Sequence, residues 1–534
     1  MSTTISRSQG RRGTATGAAR RPTSKWLVLA ICCLSLFIVS MDVTIVNVAL
    51  PSIRVDLGSS VADLQWVVDG YTVSVASFLL LAGSLADRIG RRRIFQIGLV
   101  VFSVGSLLCS VAPTVGFLIG ARVLQGIGGS MLNPVAMSII TNTFSDRRQR
   151  ARAVGIWAAV IGVSLAFGPL IGGILTETVG WRAVFWVNIP IGLAAIILTA
   201  VFVPESRAAV ARRFDPLGQL FVIVALFSLV FALIEATRIG WGSPVILALF
   251  VLCAVAVAGL IRHEKGVREP LVDVRFFRSF PFTAATITAV CGFAAYGAFL
   301  FVNALYLQDV RGLSAFQTGL HMLPLAVATI VASLVSGRLV GRFGTRPSLV
   351  IAGLLIAAAA LSMTFVTATT PHAVLALSYV LFGLGQGAIN APITTTAVSG
   401  MPVSQSGVAA GIASTSRQTG SSIGVALAGT VTGAGAASVI GPSFALATHP
   451  LWWIIVGCGL VIAALGVIAT TAWARGTTER IGHLLAEPTD RGPASAAEPG
   501  AGADSAPADG AAGRDGVAEA DRQRAVAAAA GEAS

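Results

Sequence analysis

The sequence predicts an all-α polytopic membrane protein with fourteen transmembrane helices, grouped as 6 + 2 + 6, and with both termini in the cytoplasm. Composition is the first of three observations behind this prediction. Hydrophobic residues fill 55% of the 534 positions and charged residues only 11%, whereas about a quarter of a soluble protein is charged. The other two observations are an alternation of basic residues between loops and an internal repeat.

Each predicted span contains the roughly 20 mostly apolar residues that a helix needs to cross a bilayer. The first span follows a basic arm, but it is too long for the apolar region of a signal peptide and lacks a plausible cleavage site, so we expect it to be retained. The spans are 26–50, 65–85, 94–112, 115–140, 151–176, 184–203, 217–236, 245–262, 282–306, 318–340, 348–368, 373–398, 405–433 and 451–473.

The basic residues mark one side of the membrane. They cluster in the N-terminal arm and in every second loop, such as 88–93 between spans 2 and 3, while each intervening loop holds at most one: Arg54, Arg182, Arg238 and Arg311. Cytoplasmic loops carry an excess of Lys and Arg, so this alternation predicts an even number of spans and cytoplasmic termini. It also explains the net charge of +13 better than nucleic-acid binding does, since no aromatic–basic RNA-binding pattern is present.

A repeat relates the two halves of the chain. GSLADRIGRRR at 83–93 returns as GRLVGRFGTR at 337–346, and at nearly the same separation Gly126 and Asn133 of span 4 return as Gly383 and Asn390 of span 12. Two related bundles are the layout of a secondary transporter. The predicted domains are a disordered basic arm (1–25), an N-terminal six-helix bundle (26–203), two inserted helices with cytoplasmic linkers (204–280), a C-terminal six-helix bundle (281–475) and a disordered cytoplasmic tail (476–534).

These motifs resemble those of the fourteen-span drug/proton antiporters of the major facilitator superfamily, the QacA/EmrB-like subfamily. The resemblance covers about residues 26–475 and is carried by MDVTIVNVALP at 41–51, the 83–92 hairpin, RVLQG at 122–126 and GPLIGG at 168–173. It implies the superfamily fold and proton-coupled export. It also implies a gating role for one set of residues (Gly83, Asp87, Arg88, Gly90, Arg91 and Arg92) and an antiporter motif that marks export rather than uptake (Gly168, Pro169, Gly172 and Gly173).

The second basic hairpin departs from the family pattern because Gly341 stands where the first has Asp87. Charge pairing at the hairpin is therefore expected in the N-terminal half only.

Asp42 and Arg122 are the candidate proton-coupling residues. Counted from the outer ends of spans 1 and 4, they lie about 12 Å and roughly 10 Å deep at 1.5 Å per residue, so they can pair inside the bundle. A neighbouring guanidinium favours the charged carboxylate, whereas burial favours the neutral acid. Asp42 should therefore take up a proton when Arg122 moves away. The alternative is a static ion pair that holds spans 1 and 4 together.

A central cavity between the halves is the candidate substrate site, and several polar or aromatic side chains could line it. Arg417 near the middle of span 13 either binds an anionic group or holds a structural partner. For Asp69 an interfacial position is the favoured alternative, and for the aromatic residues it is ordinary packing. The candidates are Asn47, Trp66, Asp69, Tyr71, Gln125, Asn133, Asn303, Asn390 and Arg417.

Enzymatic function is not expected. The chain lacks the Gly-Lys-Ser/Thr of a P-loop, and its one GxSxG match, at 420–424, lies within a span rather than a strand–turn–helix. The five His are scattered and the six Cys lie in apolar runs, so we predict no metal site, no cofactor and no disulfide framework.

The expected protein is a monomeric, multi-pass cell-membrane antiporter whose partners are a small-molecule substrate, protons and lipid. It exports small lipophilic drugs, antibiotics or related metabolites by alternating access, driven by the proton-motive force. One proton is worth about 2.3 kcal/mol per 100 mV. Three alternatives stand beside this reading: a dedicated exporter of one endogenous metabolite, an uptake symporter, and a membrane receptor without net transport.

Overall fold

In the computed structural model, the described residues are 24–207, 215–267, 270–401, 403–433, 441 and 443–485, and their regular structure is entirely helical. The predicted arm 1–25 and the part of the predicted tail beyond residue 485 therefore lie almost wholly outside the described residues.

The N-terminal bundle occupies the first seven helices. The predicted sixth span is divided between a short helix and a longer one, α6 and α7. The helices are α1 (Lys25–Leu57), α2 (Val61–Ile89), α3 (Arg91–Ser110), α4 (Val115–Thr143), α5 (Arg147–Thr178), α6 (Ala183–Trp186) and α7 (Asn188–Phe202).

Local sequence signals set several of these helix ends. Ser60 and Asp63 form a reciprocal capping box at the start of α2, which satisfies two otherwise unpaired N–H groups. Gly58 ends α1 in the left-handed conformation, with φ of 59°, which glycine adopts without a steric penalty. Short polar links thus separate long apolar helices.

The C-terminal bundle is preceded by a 3-10 turn, Val274–Arg278, and contains a π-helical turn, Tyr306–Val310. Its helices are α10 (Phe280–Leu305), α11 (Ala315–His321), α12 (Leu323–Phe343), α13 (Thr345–Met363), α14 (His372–Val398), α15 (Val403–Val431), α16 (Ser443–Ala447) and α17 (His449–Ile468). The inserted helices between the bundles are α8 (Pro216–Ile239) and α9 (Pro244–Glu264).

The helix α8 packs along the line where the two bundles meet. Gln219 Nε2 donates to the Ser77 carbonyl of α2 at 2.6 Å, and Thr430 Oγ1 of α15 donates to the Leu233 carbonyl at 2.6 Å. By contrast, only 11% of the most apolar window of α9 is buried. The inserted pair therefore binds both bundles through α8, and α9 presents its surface outward.

Every predicted span coincides with a helix, but the helices do not all meet one criterion of length and hydropathy. Among the described residues, 12 helices are long and apolar enough to cross a membrane, or up to 13 if α5 counts as one bent span. The helix α15 is outside this set because its sequence is rich in Gly, Ser and Thr, which lowers its hydropathy. The fourteen-span count is thus larger than the number that this criterion supports.

Glycines at matching positions bring the helices together in the same way in both bundles. A Cβ at Gly126 of α4 would meet the α2 backbone at Tyr71, and one at Gly383 of α14 would meet the α12 backbone at Leu325. Small residues allow such close helix approach. Because α4 against α2 corresponds to α14 against α12, the repeat seen in the sequence is a repeat of packing.

One further helix, α18 (Ala472–Leu485), extends into the segment predicted as a disordered tail. It is held by polar contacts with the start of α10: Thr478 Oγ1 lies 2.9 Å from Ser279 Oγ, and Thr477 Oγ1 accepts from the Phe280 N–H at 3.0 Å. Trp473 also packs on Phe280 with ring centroids 5.2 Å apart. These contacts order residues that the composition alone assigned to the tail.

Candidate functional site

Asp42 and Arg122 form a buried ion pair between α1 and α4. The Arg122 Nη1 lies 2.5 Å from Asp42 Oδ2, and the side chains are 1% and 0% exposed, respectively. The predicted pairing of these two residues is therefore present in the structure. A charge pair so fully removed from water is stable only when its remaining polar atoms also find partners.

Amide side chains complete this site. Gln125 accepts from Arg122 Nη1 at 2.8 Å and donates to Asp42 Oδ1 at 2.9 Å. Asn188, at the start of α7, donates to the same Asp42 oxygen and to Ser106 Oγ, both at 3.1 Å. The carboxylate thus accepts three hydrogen bonds, and its position is set by helices α1, α4 and α7.

The rest of the Arg122 side chain is enclosed by α2. Its Nε donates to the Val67 carbonyl at 3.0 Å, and its guanidinium lies over the Tyr71 ring, 4.3 Å from the centroid. An arginine over an aromatic face gains electrostatic stabilisation that grows as water is excluded. Arg122 is therefore fully satisfied by its surroundings.

The 83–92 hairpin is held by an ion pair and by the segment after α7. Asp87 pairs with Arg91 one helical turn away at 3.0 Å, Arg92 donates to the Ala200 carbonyl at 2.6 Å, and Glu205 Oε1 accepts from the Arg92 N–H at 3.1 Å. Gly90 has φ of 130°, a backbone conformation that favours glycine, and a Cβ there would lie 2.6 Å from Glu205 Oε1 and displace that carboxylate.

The remaining two gating candidates have fewer contacts. Arg88 is exposed, and a Cβ at Gly83 would meet nothing within 4 Å. A Cβ at Gly341, in the second hairpin, would also meet nothing within 4 Å. A Cβ at Gly344, the counterpart of Gly90, would meet nothing within 4 Å either, whereas one at Gly90 would meet Glu205, so the two hairpins differ at this position.

The 168–173 motif lies where α5 bends. The helix turns by 40° between Leu165 and Phe167, and the proline at 169 both removes the hydrogen bond to the Leu165 carbonyl and crowds it. A Cβ at Gly168 or Gly172 would meet α1 at Thr44 and Ile45, and one at Gly173 would meet the α11 backbone at Ala315 and Phe316. The motif thus contacts both the helix that carries Asp42 and the opposite bundle.

Hydrogen bonds between the bundles lie at the end opposite the basic loops, within the part of the chain that the structure describes. Glu177 Oε2 accepts from Ser314 Oγ and from the Phe316 N–H, Arg54 pairs with Asp309 at 2.9 Å, and Gln308 donates to the Val48 carbonyl at 2.8 Å. The bundles are closed against each other at this end.

Two polar residues of α2 join this closed end. Gln65 Nε2 donates to the Val425 and Ala426 carbonyls at 2.8 Å. Asp69 is fully buried, and its Oδ1 accepts from Ser422 Oγ at 2.8 Å and from Thr72 Oγ1 at 3.1 Å. Asp69 therefore bridges the bundles rather than sitting at an interface with lipid headgroups.

Several predicted cavity residues do not face open space. Trp66 donates to Glu235 Oε1 of α8 at 3.2 Å, Tyr71 packs beneath Arg122, and Gln125 belongs to the buried ion-pair site. Asn303 accepts from Tyr379 Oη at 2.7 Å inside the C-terminal bundle. These side chains are held by neighbouring helices, and their place in the lining of a cavity stays a prediction.

The other predicted cavity residues retain incompletely satisfied polar groups. Asn47 and Asn133 each have a buried Oδ1 without a hydrogen-bond partner, although Asn47 itself is 3% exposed. Asn390 is half-buried and donates to the Gln386 carbonyl at 3.3 Å, and Arg417 is half-buried beside Thr394. That Asn133, Asn390 and Arg417 contact a substrate stays a prediction.

Sequence reasoning missed two residues that complete these sites. Asn188 was visible only as a lone amide in the apolar run WVNIPIG, and Glu205 as a single acid after α7. Lone polar groups beside apolar helices require partners when buried, which is the signal that would have singled out Asn188.

The fold and its buried charge pair define an all-helical membrane protein built from two related bundles around a polar centre. The sequence profile of the Major Facilitator Superfamily matches residues 32–425. The chain belongs to the Major Facilitator Superfamily. It is a multi-pass plasma-membrane transport protein, not an enzyme.

Curated relatives match most of the chain. It is 37% identical over 438 residues to the tetracenomycin C resistance and export protein of Streptomyces glaucescens, covering 82% of this chain and 80% of that one. It is 38% identical over 411 residues to the multidrug resistance protein Stp of Mycobacterium tuberculosis, covering 77% and 76%. It is 36% identical over 393 residues to the methylenomycin A resistance protein of Streptomyces coelicolor, covering 73% and 82%.

Solved structures share the fold. A bacterial homologue of the human drug peptide transporters PepT1 and PepT2 superimposes with a TM-score of 0.59 at 16% identity, covering 86% of this chain and 100% of that one. The human organic anion transporter MFSD10 gives a TM-score of 0.57 at 16% identity, covering 84% and 100%.

Proposed function

We propose that this protein is a proton-driven efflux antiporter that exports small lipophilic drugs, antibiotics or related metabolites across the cytoplasmic membrane. The names of its relatives, which include resistance, export and efflux proteins, support drug export. The buried pair of Asp42 and Arg122 carries the proposal of proton coupling, because an ionisable pair inside a membrane bundle is costly and usually functional.

The proposed proton step depends on two opposing effects on Asp42: the nearby guanidinium favours the charged carboxylate, and burial favours the neutral acid. While Arg122 contacts Asp42, its guanidinium lies against one carboxylate oxygen, and the amides of Gln125 and Asn188 donate to the other. A movement of α4 relative to α1 separates the charges and leaves a carboxylate away from water, where the protonated form is favoured. Proton uptake and release at Asp42 then follow the opening and closing of the bundle.

Contacts of α5 offer a route from this site to the gate. Gly168 and Gly172 pack against α1 two and three residues beyond Asp42, and Gly173 packs against α11 of the opposite bundle. A shift of α1 on proton uptake would therefore move α5, which contacts α11 of the opposite bundle at the closed end. Rocking of one bundle against the other around a fixed central site is how such repeats achieve alternating access.

We further propose the fourteen-span topology of the QacA/EmrB-like subfamily, with both termini in the cytoplasm. The alternation of basic loops supports it, as does a helix at each predicted span, α5 and α15 included. In this orientation the end at which the bundles contact each other faces outward, which supports an inward-facing state. Substrate would enter from the cytoplasm in this state.

Reconstituted transport tests the proposal. In liposomes containing the full chain, an imposed pH gradient should drive dye accumulation by the wild-type protein and not by Asp42→Asn, while dye exchange without a gradient persists in both. Asp56→Asn, the same change at an exposed position of α1, is the matched control and should transport normally. Equal gradient-driven accumulation by Asp42→Asn would refute coupling at this residue.

A dedicated exporter of one endogenous metabolite remains the second candidate. The tetracenomycin C and methylenomycin A relatives bear the names of single compounds, whereas Stp is called a multidrug protein. Resistance of a pump-deleted host to many unrelated compounds would favour the multidrug function, and resistance to one would favour the dedicated exporter.

A further inference from the structure

Arg417 lies at the middle of α15, which spans Val403–Val431. Its Nη2 donates to Thr394 Oγ1 of α14 at 2.6 Å, and its Nη1 lies 3.4 Å from Ser414 Oγ. Its Nε is buried without a hydrogen-bond partner. Among the described residues, no carboxylate lies within ion-pair distance of this guanidinium.

Arg122 shows what an arginine with a counterion looks like in the same protein. It has a carboxylate, an amide, a backbone carbonyl and an aromatic face around it. Arg417 has two hydroxyl groups and an aromatic ring, Phe293, whose centroid is 6.0 Å away. A half-buried charge without a counterion is costly, so a purely structural role does not account for Arg417.

The surroundings of Arg417 suit a negatively charged oxygen. On α14, Gln386, Asn390 and Thr394 follow one another at helical spacing and form one polar face, and Thr394 Oγ1 is exposed where it meets the guanidinium. The nearest acid along the α15 interface, Asp69, is occupied by Ser422 and Thr72. Asp42 is neutralised by Arg122.

We infer that Arg417, with Thr394 and Asn390, forms a subsite for an oxyanion on an aromatic substrate, such as a carboxylate, phenolate or enolate. A guanidinium binds planar oxyanions through paired N–H donors, and Phe293 offers a ring face beside it for the aromatic part. This inference rests on the proposed export function and specifies its substrate class.

Two xanthene dyes of opposite charge test it: fluorescein, an anion, and rhodamine 6G, a cation. Binding to the full-length protein in nanodiscs is measured by fluorescence anisotropy. The wild-type protein should bind fluorescein more tightly. Arg417→Gln should weaken fluorescein binding about tenfold to a hundredfold, the loss expected for a charge-assisted hydrogen bond, and leave rhodamine 6G binding unchanged. Arg417→Lys should restore part of the affinity.

Thr394→Val keeps the Arg417 charge and removes only the hydroxyl group beside it, at an exposed position. It should weaken fluorescein binding a few-fold, and it tests the subsite even if the Arg417 variants misfold. The inference is overturned if the wild-type protein fails to bind fluorescein more tightly than rhodamine 6G, or if Arg417→Gln weakens both dyes equally. Gradient-driven transport of both dyes by the same purified protein in sealed liposomes separates the two proposals. Transport of either dye supports the export function whatever Arg417 does, and transport of neither dye with fluorescein selectivity intact counts against export alone.

Discussion

Replacing Arg122 with Leu should destabilise the N-terminal bundle because it leaves a buried carboxylate without its cation. Breaking a buried pair by removing one partner costs about 3–5 kcal/mol. Here Gln125 and Asn188 still donate to Asp42, so we expect the free energy of unfolding to fall by about 3 kcal/mol, the lower end of this range. The double variant Asp42→Asn/Arg122→Gln replaces the pair with two neutral amides, and should be more stable than the Arg122→Leu variant.

Thermal unfolding followed by a thiol-reactive fluorophore measures this effect, because Cys32, Cys33 and Cys109 are buried and become reactive on unfolding. Directly contacting residues show coupling of about 0.5–3 kcal/mol in double-mutant cycles. To complete the double-mutant cycle, the stabilities of the single variants Asp42→Asn and Arg122→Gln are measured as well. Losses that simply add would refute the idea that the two residues stabilise each other. The exposed Asp56–Arg182 pair serves as a control and should show little coupling.

Three further predictions concern packing and closure. Gly424→Ala should lower the unfolding temperature strongly, because a Cβ there collides with the α10 backbone at Ala294. Gly120→Ala is the control and should leave the unfolding temperature unchanged, since a Cβ there meets nothing within 4 Å. Equal effects of the two changes would contradict this packing. Glu177→Gln should weaken the contact with α11 and raise amide hydrogen exchange there several-fold, and unchanged exchange would count against its role in closure. Glu205→Ala should free the basic hairpin from its contact with the segment after α7 and speed its cleavage by trypsin. An unaltered cleavage rate would argue against this role of Glu205.

The sequence predicted the repeat, its close-packed glycines and the Asp42–Arg122 pair, because depth along a helix follows directly from residue number. It did not predict which side chains face the cavity. The helix α2 shows why. Because 72% of its most apolar window is buried, its sequence has no polar stripe that distinguishes the side facing the centre of the protein from the sides facing other helices. The sequence therefore did not show that Trp66 packs on α8 and Tyr71 on Arg122.

Contacts that depend on the meeting of distant segments were also out of reach. Glu205 follows α7 by a short irregular segment, and only the folded chain shows that it covers Gly90 and the start of α3. The α15 span was counted with the other apolar spans, but its polar composition keeps it below their hydropathy. Its serines instead contact the two charged groups: Ser422 donates to Asp69, and Ser414 lies beside Arg417.

The two bundles share a backbone plan but not a distribution of charge. The repeat that aligns Gly126 with Gly383 also aligns Arg122 with Tyr379, whose hydroxyl donates to Asn303 in a neutral buried hydrogen bond. The N-terminal bundle thus holds an ionisable pair at a place where the C-terminal bundle holds none, while the C-terminal bundle holds the unpaired Arg417. In the proposed mechanism, this difference separates proton exchange from recognition of a charged substrate. Protonation of Asp42 would then alter the substrate's binding through the movement of the bundles rather than by competing for the same side chain.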